Sequence, residues 1–239
     1  MIEQKAFVLH RRPYRENQLI VDLLTEQEGK VSALVYVGQS KRSIKKGLIQ
    51  PFLPLRLTMK SQGNFKQITQ VDSVAKSFPL IKHSLFSAFY INELLIRLLT
   101  DQIPCQQLFS QYQLTLIALA EGKEIAPQLR LFELALLEEL GLSFDFSPVF
   151  EHDARYFYYI QEQGFVPVYD ALPKNSSQCF DKLHLQAIAQ GESIYQDNLA
   201  VISTTEDINQ TFKLLMRQVI NQLLGNKPLN SRKLFANKV

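Results

Sequence analysis

The sequence predicts an α+β fold: a small closed barrel of five short strands at the N-terminus, then a mostly α-helical C-terminal domain with a small β-hairpin insertion. Two patterns predict it. Apolar residues alternate at period two between turn signals up to residue 74, and they recur at spacings of three and four after Pro79. A length of 239 residues suits one or two domains. The change of period places the boundary at 78/79, giving domains 1–78 and 79–239.

Residues 5–10 form the first expected strand, which ends near Pro13. Residues 19–25 are the second, and Glu28-Gly29 turns the chain into the third, 30–37. The fourth, 52–59, is entered through Pro51 and broken at Pro54; Gln62-Gly63-Asn64 leads into the fifth, 65–74. Five short strands in so short a stretch suggest the oligonucleotide-binding (OB) fold, the commonest barrel of this size. A Gly-bounded basic linker, 37–47, joins strands three and four. Beyond Pro79, Leu85, Phe86, Phe89, Tyr90, Leu94, Leu95 and Leu98 lay an apolar stripe along a helix at 80–100. Pro104 opens a second helix at 105–119, and Gly122 and Pro127 bracket a turn. A third helix, 129–140, is closed by Gly141 as its C′ glycine. Segment 142–180 is mixed, with a hairpin at 156–168 and a loop at 173–177. Helices resume at 182–189 and 208–224, and Gly225 ends the last.

Net charge is only +3, yet it is unevenly placed. Up to residue 66 there are twelve basic and five acidic residues, a local net of +7. Between 121 and 162 nine acids face only Lys123, Arg130 and Arg155. One end is therefore suited to a polyanion and the other is not. Cys105 and Cys179 are far apart and no CxxC occurs, which excludes a zinc site built from paired cysteines and fits a reducing compartment. No signal peptide or membrane-length apolar run is visible, so a cytoplasmic protein is expected.

Two basic constellations stand out. The linker carries Lys41, Arg42, Lys45 and Lys46, with Ser40 and Ser43 able to add neutral phosphate contacts. It can equally be a solvated surface loop. In His10-Arg11-Arg12-Pro13-Tyr14-Arg15 three arginines leave a strand with a tyrosine that can stack on a base or simply cover the barrel mouth. In the run 156–159 the strand period puts Phe157 and Tyr159 on one face, expected to be core. Catalytic patterns are missing: there is no Walker A motif, no GxGxxG and no HExxH. His152-Asp153 lies in an irregular acidic stretch, and Glu138-Glu139 point apart on a helix. No enzymatic activity and no cofactor are expected.

Residues 6–16, 24–30, 38–43, 48–52, 90–95, 129–137 and 225–235 together, in order along nearly the whole chain, resemble the RecO family of recombination mediators. That resemblance implies an N-terminal OB domain and a helical C-terminal domain. It implies binding to single- and double-stranded DNA and ATP-independent annealing of complementary strands. The implied partners are RecR and the single-stranded DNA-binding protein SSB, with RecA loaded afterwards, in a cytoplasmic, nucleoid-associated setting. Many members carry a four-cysteine zinc module near 150–180; with only Cys179 there, this chain resembles the zinc-free, gammaproteobacterial-type branch. The resemblance also implies that Arg130 binds the acidic, phenylalanine-terminated SSB tail, whose end carboxylate suits a guanidinium fork. The residues alone suggest instead a surface arginine paired with Glu133 or Glu124. The expected DNA surface comprises Arg11, Arg12, Arg15, Lys41, Arg42, Lys45 and Lys46, extended by Lys227, Arg232 and Lys233. The competing expectation is a protein–protein adaptor whose barrel binds no DNA.

Overall fold

The computed structural model describes residues 3–38, 44–62, 65–169, 179–196, 206–225 and 227–236. They cluster into two compact units, 1–140 with 228–239, and 141–227.

The first unit begins with the expected barrel. Strands β1 (Glu3–Arg15), β2 (Gln18–Thr25), β3 (Gly29–Tyr36), β4 (Leu55–Gln62) and β5 (Phe65–Ser73) close in the order β1-β2-β3-β5-β4. Only β3 and β5 run parallel. Every second side chain points inward, so Ala6, Val8, Val21, Leu23, Val31, Ala33, Val35, Leu55, Leu57 and Ile68 fill the interior.

Strand β1 runs past Pro13, where a strand end was expected, and Pro13 pairs with Leu19. Its ladder with β4 covers only Glu3 to Ala6, and one isolated bridge joins Val8 to Pro51, so at Pro13 that edge has no ladder partner among the described residues and tolerates a missing N–H. Two register shifts in β1 leave Leu9 and Tyr14 as extra residues opposite β2. The basic linker, expected to be irregular, holds a short helix, α1 (Ile44–Leu48). Positions 39–43 lie outside the described residues.

Three helices pack beside the barrel: α2 (Lys82–Leu98), α3 (Gln106–Ala120) and α4 (Ile125–Glu139). Pro127, expected to mark a turn, is the third residue of α4. The first four N–H groups of a helix have no intrahelical partner, so a proline there removes nothing. Gly141 follows the C-cap Leu140 at φ 70°, as expected. The seam with the barrel is close. Phe7 meets Tyr112 and Phe109 at centroid distances of 5.1 and 5.6 Å. At the Leu9 bulge the carbonyl accepts a bond from Asn92 Nδ2 (3.0 Å), and Asn92 Oδ1 accepts one from Tyr112 (2.7 Å). Gly29, at φ 67°, lies so near the backbone of Ile103 that a Cβ would stand 1.8 Å from its carbonyl oxygen. The C-terminal helix α8 (Arg232–Ala236) packs on α2.

The second unit contains α5 (Ser147–Glu151), the expected hairpin β6 (Tyr156–Ile160) and β7 (Gly164–Val168), then α6 (Lys182–Gln196) and α7 (Glu206–Leu223). A third strand, β8 (Cys179–Asp181), pairs with β6 and was not foreseen. Phe157 and Tyr159 are buried, as the period-two argument requires. Phe146 and Phe165 stack at 4.9 Å, and Tyr159 meets Phe144 and Phe165. Phe212, Leu215, Met216, Val219 and Ile220 supply the buried stripe of α7.

Candidate nucleic-acid interface

Strand alternation separates the arginines that the sequence reads as one cluster. Arg11 pairs across to core Val21, while Arg12 pairs to Ile20 on the other face. Arg11 consequently reaches the short helix: its NH1 donates to the carbonyls of Ile49 and Lys46. Lys45 Nζ donates to the Thr69 carbonyl at 3.3 Å. These two cations tie α1 and its flank to the barrel. Arg12, Arg15 and Lys46 are exposed. The Arg15 guanidinium lies 5.2 Å over the Tyr14 ring. Lys41 and Arg42 lie outside the described residues.

The other expected cations are placed differently. Lys227 is exposed and belongs to the second unit. Lys233 is exposed on α8, which packs on α2. Arg232 is half-buried and close enough to Glu133 to pull its carboxyl down.

Arg130 forms the ion pair that its own neighbourhood suggested. NH1 is 2.8 Å from Glu133 Oε2, and NH2 donates to Oε1 at 3.0 Å. Tyr90 adds a bond to Oε1 at 2.6 Å. The Glu133 side chain is 1% exposed and that of Arg130 is 15% exposed. Burial pushes the Glu133 carboxyl up, against the opposing pull of Arg130, Tyr90 and Arg232. Burial and the adjoining Glu133 also raise the Tyr90 hydroxyl well above its ordinary value. The result is a buried carboxylate gripped by the Arg130 guanidinium and the Tyr90 hydroxyl, with the charge of Arg232 adding a weaker pull.

Tyr36 was passed over by the sequence reading, although its position was legible. With Val31, Ala33 and Val35 inward, Leu34 and Tyr36 must face out. Among the described residues no three or more His, Cys, Asp or Glu side chains gather as a metal site. No helix among them is long and apolar enough to cross a membrane.

The two halves of the chain match the family models "Recombination protein O N terminal", over residues 1–77, and "Recombination protein O C terminal", over 83–233. The chain belongs to the recombination protein O family. Curated relatives agree. DNA repair protein RecO of Actinobacillus succinogenes is 36% identical over 99% of this chain and 96% of its own length. That of Psychromonas ingrahamii is 37% identical over 98% and 97%, and that of Haemophilus influenzae strain 86-028NP 35% over 99% and 96%. Membership assigns the chain a role in DNA repair and recombination. It also fits the architecture of a closed five-stranded barrel followed by helices.

Proposed function

We propose that the protein is a recombination mediator that binds single- and double-stranded DNA along the basic end of its barrel and anneals complementary strands without ATP. The observation that carries this is the exposure of Arg12, Arg15 and Lys46 on a barrel whose α1 is anchored by Arg11 and Lys45. Lys41 and Arg42 adjoin α1 in sequence and extend the same basic segment. Cations on two strands' phosphates lower the repulsion between them, so that bases can search for partners. The protein has no bond to make or break in such a step, and binding energy alone drives it.

Arg130 is the proposed contact for the acidic tail of SSB. A guanidinium has five donors, and Glu133 engages only part of that set. A terminal carboxylate can take the remainder, with Arg232 adding positive charge nearby. RecR is the proposed second partner, RecA the protein loaded downstream, and the nucleoid-bearing cytoplasm the setting. Lys227 and Lys233 are proposed as secondary DNA contacts.

Fluorescence anisotropy with single-stranded DNA across a salt series tests the proposal, comparing wild type with a Lys41/Arg42/Lys45/Lys46→Ala variant. Wild-type affinity should fall with salt at a slope of about −0.7 per phosphate neutralised, and the variant should lose most of it. Absence of binding at low salt would favour a barrel that serves as a protein adaptor.

A further inference from the structure

We propose that a cleft on the outer face of the barrel, between Tyr14 and Tyr36, holds one unpaired nucleobase and gives the surface a contact that only single strands can make. This deepens the DNA-binding proposal and rests on it. The cleft measures about 280 Å³ and is lined by Tyr14, Arg15, Gln18, Leu34, Tyr36 and Gln67.

The strands explain how these residues meet. Arg15, Gln18 and Tyr36 form one cross-strand row, since Arg15 pairs with Gln18 and Gln18 with Tyr36. Leu34, two residues before Tyr36, shares its face and pairs with Gln67 of β5. Tyr14 is the extra residue of the second bulge in β1, a device that re-aims a side chain. It does not seal the barrel: Tyr14 is 44% and Tyr36 53% exposed. Large aromatic rings left open beside a cleft offer stacking surfaces rather than core.

The chemistry selects the ligand. An inorganic anion would use Arg15 alone, and a purely apolar ligand would strand the Gln18 and Gln67 amides. A flat ring with a polar edge uses the whole set. The tyrosines take its faces, the amides its edge, and Arg15 the neighbouring phosphate. Gln67 adds an independent sign. Its Oε1 is buried and accepts no hydrogen bond among the described residues, and an exocyclic amine of a base is the kind of donor it lacks. Bases in a duplex are stacked above and below and paired at their edges, so the cleft admits only a base that is free.

The test uses the full chain and three ligands of equal length. These are a single-stranded oligonucleotide with one central 2-aminopurine, the same strand with abasic residues throughout, and a duplex. Tyr36→Ala removes an exposed ring. It should weaken binding to the base-bearing strand by roughly 5- to 150-fold, the range that base–aromatic stacking supplies. It should leave the abasic strand and the duplex within twofold of wild type, and abolish the 2-aminopurine fluorescence change. Tyr36→Phe, which keeps the ring, should behave as wild type, and Tyr14→Ala should repeat the Tyr36→Ala pattern. Equal losses on all three ligands would overturn the base site and reduce the cleft to a phosphate contact. An unchanged affinity and fluorescence response in Tyr36→Ala would overturn it while DNA binding stood. A wild type that binds none of the three would overturn it together with the proposal it rests on.

Discussion

Charged side chains at the barrel's open end and in the helical layer live under opposite rules. At the end of β1, Arg12 and Arg15 stand in solvent, and no carboxylate among the described residues forms an ion pair with either. In α2 and α4 two carboxylates are matched within the fold: Glu133 by Arg130 and Tyr90, and Glu93 by the amides of Asn230 and Ser231 (both 2.8 Å) and the Ser231 hydroxyl (2.7 Å). The barrel end can give its charge to a ligand at little internal cost. Glu133 and Glu93 are instead committed to holding the helical layer together.

The largest effect should come from breaking an enclosed pair. Glu133→Ala strands Arg130 beside a buried tyrosine hydroxyl, and loss of one partner of a buried pair costs about 3–5 kcal/mol. Urea denaturation reads this directly, with Arg12→Ala as the control at roughly 0.5 kcal/mol or less. Similar midpoints for the two would dissolve the contrast.

Arg11 should behave as a hybrid. Arg11→Ala leaves the Ile49 carbonyl short of a donor and should cost about 1–3 kcal/mol, besides weakening DNA binding. An Arg12/Arg15/Lys46→Ala variant should melt like wild type, while the salt slope of its single-strand binding falls by roughly 2, three contacts at ~0.7 each. A variant that loses stability instead would show those cations to be structural.

The smallest effect is local and depends on pH. Partial burial raises the Glu93 carboxyl, but the Ser231 and Asn230 bonds and Arg97 outweigh it and hold it below its usual value. A depressed carboxylate contributes stability above its unfolded pKa and loses it as pH falls through the folded one. Acidification below the ordinary carboxylate range should therefore release the segment around Asn230 and Ser231. Hydrogen exchange at those two amides should accelerate there, and Glu93→Gln should produce part of that acceleration at neutral pH. Amides of β2 and β3 should be unaffected by this variant.

Much of this was legible in the sequence, because period and punctuation report which side of an element faces the core. The five strands, the helix stops at Gly141 and Gly225 and the buried face of β6 follow from that logic. What stayed hidden depends on neighbours remote in sequence. Pro13 reads as a strand end, yet it lies on an edge where β4 has already left β1. β8 is three residues long, too short for any periodicity. Arg11 and Arg12 look equivalent as letters and differ only because their strand partners are Val21 and Ile20. For Arg130, the ion pair suggested by its own helix is present, while a tail-binding role draws on family resemblance and on no pattern within the chain.

The contact between Gly29 and Ile103 bears on modularity. Family models split the chain between residues 77 and 83, but the seam across that split admits no methyl group at Gly29 and buries Phe7 among rings of α3. A barrel cut free there would carry a bare aromatic face into water. Whatever history joined the two segments, moving either to another chain without its neighbour would leave this seam uncovered.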